Sequence, residues 1–195
     1  MTEALSIRPY DYRETGRYTE SLIECYQRVF AGPPWNEQWG RESVDIILET
    51  LGGASNFIAC DGDKAVGFAF GRLERATSLE RELGIEFAAA IEERASFAGD
   101  LAKQLVFDPA YVLYQADLGV LPEYQGQGLA KRLFWTRYRA NPQPYFVTRA
   151  RQFPEPSVTY LWYTEKLGYE VVARYPEEDG RVILFQTGEA LASRL

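Results

Sequence analysis

The chain has 195 residues, 46% hydrophobic and 14% aromatic, enough apolar material to fill one sizeable core, so a single domain over 1–195 is expected. It contains no histidine and carries a formal charge of −7. That excludes Ser-His-Asp and Cys-His nucleophilic catalysis, leaves acid-base chemistry to Asp, Glu, Tyr, Lys or Cys, and argues against nucleic acid, whose phosphates need clustered Lys and Arg.

Cys25 and Cys60 are the only cysteines, each among apolar neighbours, and are expected as buried thiols of a reducing compartment. No zinc-type ligand spacing is present, so no metal is expected. No run of about 18 apolar residues occurs, and the first residues lack the basic-then-apolar shape of a secretory signal. The expected location is the cytoplasm, with no membrane partner. The acidic balance suits a cationic small molecule and equally a solvated surface.

In chain order, Leu5 to Asp11 predicts a short strand ending at its proline. Thr15 or Thr19 is placed to cap a helix in which Leu22, Ile23, Tyr26, Val29 and Phe30 recur at three and four. "AGPPWNEQWG" breaks it, and a second helix from about Arg41 to Leu51 ends at Gly52-Gly53. "NFIAC" and "AVGFAFGRL" are strands joined by a tight turn at Asp61-Gly62. Residues 78–108 show helical spacing at Ile85, Ala88, Ala89 and Ile91 with an acidic face, predicting one or two helices. "AYVLYQADLGV" reads as a buried strand, followed by a helix to Ala140 that "NPQP" ends. "YFVTRA" is a strand; Ser157 caps a helix bearing Val158, Leu161, Trp162 and Leu167 that stops at Gly168. "YEVVARY" and "RVILFQ" close the chain as a strand pair.

Between strand and helix lies "LGVLPEYQGQGLAKRLF", Leu118 to Phe134. It fails the G-x-G-x-x-G dinucleotide pattern at Lys131, and it fails the P-loop pattern. A plain glycine turn would explain it structurally. Successive N–H groups over Gly126 to Ala130 at a helix start also form a positive nest suited to a pyrophosphate. Side chains at Gly126 or Gly128 would block the approach, and Lys131 and Arg132 add positive potential.

Gln125-x-x-Gly128-x-Ala130 matches the Q/R-x-x-G-x-G/A signature of the GNAT superfamily of N-acetyltransferases, and the chain resembles that family in its context as well. Val120 to Ala130 follows the family's wording, "YTEKLGYE" (Tyr163 to Glu170) resembles its "LYEKLGFE" segment, and the predicted element order is the family's. The resemblance implies an α/β fold with a mixed, mostly antiparallel central sheet of about seven strands flanked by helices, the stretch near 78–108 standing out as a helical insertion. It implies acetyl-CoA as acetyl donor, its pyrophosphate held by Gln125, Gly126, Gln127, Gly128, Leu129, Ala130 and Lys131. Its pantetheine would run beside Leu118, Gly119 and Val120, and Tyr160 would pack on it. Gly119 is the natural place for a bulge. The acceptor it implies is a primary amine of a small molecule or peptide, with a homodimer as an open arrangement.

An alkylammonium, with a pKa near ~10.4, must lose a proton before it attacks. Asp117, the only acid of its strand, is the candidate base; pairing with an arginine or a local hydrogen bond is the structural alternative, and Tyr114, Gln115 and Glu37 are fallbacks. The family's acid, a tyrosine four residues before the glycine, falls on Thr164, whereas Tyr163 lies one residue, about 100° of helix, away. Either the helix is adjusted so that Tyr163 protonates the leaving sulfur, or the thiolate leaves unaided at a cost of about 2 kcal/mol. Trp35 and Trp39 would wall an acceptor site with Glu37 and Thr148, assisted by Glu86, Glu92 or Glu93, or the tryptophans simply pin their loop to the core. An acetyltransferase, a non-catalytic acyl-CoA-binding module of the same fold, and a nucleotide-binding domain of another fold are the functions compatible with these residues.

Overall fold

The computed structural model describes residues 5–13, 15–33, 35–51, 55–97 and 111–195, with the backbone alone for 95–97. Strands β1 (Ser6–Pro9), β2 (Phe57–Asp61), β3 (Lys64–Arg75), β4 (Tyr111–Val120), β5 (Tyr145–Arg151), β6 (Glu170–Arg174) and β7 (Arg181–Thr187) are hydrogen-bonded in the order β1-β2-β3-β4-β5-β7-β6. β4 and β5 run parallel; β1-β2, β2-β3, β5-β7 and β6-β7 are antiparallel. The mostly antiparallel seven-stranded sheet with flanking helices is the expected fold class. The chain divides into two units, Met1–Arg72 with Ala116–Asn141, and Leu73–Gln115 with Pro142–Leu195.

In the first unit α1 (Thr19–Ala31) turns Leu22, Ile23, Cys25, Tyr26 and Phe30 to one buried side, and α2 (Arg41–Thr50) adds Val44 and Leu48. These meet Phe57 to Cys60, Phe68 and Phe70 of the β2-β3 hairpin, and Leu129 and Leu133 of α5 (Leu129–Ala140). The hairpin turns through Gly62 and Asp63, with Asp61 opposite Lys64, as its Asp-Gly step predicts. Neither threonine caps α1: Thr19 is its first residue, the Thr15 hydroxyl bonds back to the Asp11 carbonyl, and a 3-10 turn at Gly16–Tyr18 leads in instead. The expected stop at Gly52-Gly53 lies outside the described residues.

In the second unit β5 and β7 pair over seven residues, Tyr145↔Thr187 through Arg151↔Arg181, and β4 is registered with β5 from Leu113↔Phe146 to Gln115↔Thr148. The helical stretch contains α3 (Ala76–Leu83) and α4 (Ala88–Phe97), separated at Gly84, which is left-handed with φ 67°. Glu80 spans the break, its carboxylate accepting from the N–H groups of Phe87 and Ala88. Ala88 and Ile91 are buried as expected, but Ala89 is exposed because the helix restarts after Ile85. Residues 98–108 of that stretch lie outside the described residues. Ser157 caps α6 (Val158–Leu161), its hydroxyl accepting from the Tyr160 N–H at 3.0 Å. Val158 and Leu161, expected on the apolar face, are exposed. The helix continues at Trp162–Lys166 as a π-turn, and α7 (Gly188–Ala192) ends the fold.

Candidate functional site

β4 runs out through Val120 into a 3-10 turn at Pro122–Tyr124, and this turn is fastened at several points. Arg28 of α1 grips Glu123 with two bonds of 3.0 Å, holding that carboxyl below its usual range. The Tyr124 hydroxyl donates to Asp61 at 2.7 Å, and the Gln125 amide reaches back to the Val120 carbonyl at 2.9 Å. Gln125 thus closes the loop with its side chain and with its backbone N–H, which bonds the Pro122 carbonyl at 3.2 Å. Beyond it Gly126 and Gly128 are both left-handed at φ 74°, and a Cβ built on either would meet nothing within 4 Å. A glycine is demanded there by backbone conformation, and the space beside it is open.

Gly128 is the N-cap of α5 and supplies no side-chain cap. The Arg132 N–H bonds the Gly128 carbonyl at 3.0 Å, so the first-turn N–H groups of Leu129, Ala130 and Lys131 precede the intrahelical ladder. These donors, at the positive end of a twelve-residue helix, open onto exposed Gln125 to Gly128, and the Lys131 side chain is exposed beside them. Arg132 is tied to the Leu5 carbonyl at 3.2 Å. Open backbone donors without intervening side chains fit a pyrophosphate.

Upstream on β4, Asp117 and Leu118 are half-buried and Gly119 and Val120 buried. Gly119 stands where α1 and β3 close in: a Cβ there would come within 2.4 Å of Phe68 and 2.7 Å of Val29. Close approach accounts for the glycine, and β4 is registered with β5 only as far as Gln115. Asp117 accepts a hydrogen bond of 3.2 Å from the Tyr26 hydroxyl of α1, a partner 91 residues away in the chain and neither the arginine nor the local bond weighed against its role as base. The Tyr26 ring lies 4.6 Å from Phe30, 5.2 Å from Phe68 and 5.9 Å edge-on from Trp39.

The same unit brings the loop of Trp35, Glu37 and Trp39 onto this cluster. Trp35 and Trp39 pack against Phe30 while staying half-buried, the Trp39 indole donates to Glu37 at 3.0 Å, and Gln27 bonds the Trp39 carbonyl at 2.8 Å. The tryptophans therefore pin the loop, and in doing so hold Glu37 on an aromatic wall. Tyr26 is the residue the sequence reading passed over as a site group. At helical spacing with Leu22 and Phe30 it looks like core, and only its polar tip hints at a partner in strand β4.

Thr148, Tyr160 and Tyr163 belong to the second unit. Thr148 is buried and donates to the Gln115 carbonyl at 2.9 Å, at the last registered β4-β5 pair. Gln115 accepts from Tyr169 at 2.8 Å, and it and Tyr114 are both buried. Tyr160 is half-buried and its hydroxyl accepts from Gln152 at 2.7 Å. Tyr163 is 2% exposed, with Tyr169 edge-on at 4.8 Å and Trp162 at 5.2 Å. Glu86, Glu92 and Glu93 are exposed.

The π-turn bears directly on Tyr163. The Leu167 N–H bonds the Trp162 carbonyl, five residues back instead of four, so the turn before Gly168 holds one extra residue. Tyr163, five residues before Gly168, is thereby carried to the position that the fourth residue before it would hold in an uninterrupted helix. Thr164 accompanies the turn, its hydroxyl donating to the Tyr160 carbonyl at 2.9 Å.

Residues 18–140 match the family model described as "Acetyltransferase (GNAT) family". The chain belongs to the GNAT acetyltransferase family. Proteins of known structure share this fold at low identity. A Drosophila melanogaster polyamine N-acetyltransferase aligns with TM-score 0.58 and 15% identity, covering 94% of this chain and 100% of its own. Arylalkylamine N-acetyltransferase 2 from Aedes aegypti gives 0.58 and 16%, over 95% and 99%. A Pyrococcus horikoshii OT3 protein, PH1933, gives 0.58 and 15%, over 94% and 98%. No curated protein sequence matches this GNAT chain significantly. Among the described residues, no helix is long and apolar enough to cross a membrane.

Proposed function

We propose that this GNAT protein is a cytoplasmic enzyme that transfers the acetyl group of acetyl-CoA to a primary amine of a small molecule or peptide, by direct attack in a ternary complex. The observation that carries this reading is the cradle from Gln125 to Lys131, whose left-handed glycines leave open space over the first-turn N–H groups of α5. The N–H groups of Leu129, Ala130 and Lys131 would hold the pyrophosphate, and the backbone of Leu118 to Val120 would flank the pantetheine arm. Bound there, acetyl-CoA supplies a thioester carbon open to a nucleophile.

Asp117 takes the ammonium proton, since an alkylamine with a pKa near ~10.4 is otherwise unreactive at neutral pH. The acceptor side is Trp35 and Trp39 with Glu37, faces and a carboxylate that favour a cation. The amine-acetylating activities named for the Drosophila and Aedes neighbours support an amine acceptor. As the new C–N bond forms and the C–S bond breaks, Tyr163 would donate its phenolic proton to the departing sulfur, and the second proton that the acylated nitrogen sheds would return Tyr163 to its neutral form. The π-turn supports that role, because it removes the one-residue offset from the family's tyrosine.

Thiol release across a panel of primary amines tests the reading. Turnover on at least one amine, with Asp117→Asn lowering kcat by about 10²-fold and leaving coenzyme A affinity near wild type, is expected. Tight coenzyme A binding without turnover on any amine would instead mark a non-catalytic acyl-CoA-binding module.

A further inference from the structure

We infer that Tyr26 is a positioning residue for Asp117, and that Trp39 seats it, so that the acceptor loop and the base form one braced unit. The inference rests on the proposed role of Asp117 as base.

A half-buried carboxylate on a strand turns about its side-chain torsions, and it accepts a proton efficiently only when one lone pair faces the amine. Tyr26 removes that freedom. Its hydroxyl donates to Oδ2 of Asp117 at 3.2 Å, a long bond that still gives the carboxylate a preferred orientation. The donor is itself held: Tyr26 is 3% exposed, Phe68 stacks on it at 5.2 Å, Phe30 tilts against it at 4.6 Å, and the Trp39 ring meets it edge-on at 5.9 Å. Trp39 is fixed in turn by its indole bond to Glu37 at 3.0 Å and by Gln27, which bonds its carbonyl at 2.8 Å.

The line therefore runs from Glu37 through Trp39 and Tyr26 to Asp117 within one compact unit. An aromatic residue in that place without a hydroxyl would fill the core equally well. The hydroxyl is accounted for by its partner, because a buried phenol is retained at low cost only where it finds an acceptor.

Tyr26→Phe removes one oxygen and keeps the packing, which makes it a clean test. Kinetics are measured with the best primary alkylamine of the panel and with its β-trifluorinated counterpart, which is already neutral at pH 7 and needs no base to shed an ammonium proton. For Tyr26→Phe, kcat with the alkylamine is expected to fall about tenfold, while kcat with the fluorinated amine and KM for acetyl-CoA stay within about twofold of wild type. Trp39→Leu should lower the same alkylamine kcat, and its effect should be less than additive with Tyr26→Phe. In an Asp117→Asn background, Tyr26→Phe should have no further effect.

An equal loss on both amines would make Tyr26 a general structural support and overturn the inference, as would a wild-type rate for Tyr26→Phe beside a slow Asp117→Asn. A wild-type rate for Asp117→Asn itself would overturn the assignment of the base, a different failure that the same data separate.

Discussion

Two glycines of one strand-loop-helix passage serve opposite purposes, and substitution distinguishes them. Gly128 is left-handed with empty space where a Cβ would stand, whereas Gly119 has Phe68 and Val29 inside van der Waals distance of that point. Asparagine tolerates the left-handed region better than other non-glycine residues, so Gly128→Asn keeps the turn and fills the cradle. Coenzyme A affinity measured by titration calorimetry is expected to fall more than about tenfold, or about 1.4 kcal/mol, while the left-handed asparagine lowers the melting temperature only slightly. Gly119→Ala should do the reverse, costing about 1–3 kcal/mol of stability through overpacking. Both glycines stand out in the sequence, but the reason for each does not: one is set by a local dihedral, the other by side chains 51 and 90 residues away in the chain.

At the level of elements, the π-turn at Trp162–Lys166 decides how the segment before Gly168 is read. A strict 3.6-residue helix puts Thr164 at the family's tyrosine place, and the sequence contains no signal that the turn widens. The extra residue gives a prediction. Deleting Thr164 restores an uninterrupted turn and leaves Tyr163 four residues before the glycine, so the shortened protein should fold and keep acetyltransferase turnover. Tyr163→Phe should lower kcat about tenfold at neutral pH with cofactor affinity retained. If the deletion variant folds, binds coenzyme A and is inactive while Tyr163→Phe is fully active, the thiolate leaves without a proton from Tyr163. The helical stretch after β3 shows the same limit of periodicity: Gly84 splits it, and Glu80 caps the second helix from the first.

At the scale of the whole molecule, the buried titratable groups set a one-sided pH dependence of stability. Burial pushes the Cys25 thiol up to about 12, and burial does the same for the Tyr10 phenol, also to about 12. In the unfolded chain the thiol ionises first, from about pH 8.5, so above that pH the unfolded state binds fewer protons than the folded state. The stability these groups lend is therefore complete below about pH 8.5 and lost progressively as pH rises towards 12. Thermal melts should show a midpoint that declines between pH 8.5 and 10.5, and Cys25→Ala should make that decline shallower whatever it does to stability at pH 7. An unchanged slope in the variant would assign the alkaline loss elsewhere.

The sequence alone determined the order of the seven strands and of the helices between them, though not the closing helix α7, together with the hairpin at Asp61-Gly62, the Ser157 cap and the position of the glycine loop. Each of these is written in residues adjacent along the chain, where periodicity, turn chemistry and capping act locally. Tertiary structure decided what depends on distant residues or on a departure from ideal helix geometry. The bond from Tyr26 to Asp117 joins positions 91 residues apart, and Gly119 owes its identity to side chains on α1 and β3. The phase of Tyr163 shifts by one residue through a turn that no propensity encodes. A core position and a site position look alike in sequence when the only difference is a hydroxyl, because what distinguishes them is the partner that folding brings within hydrogen-bond reach.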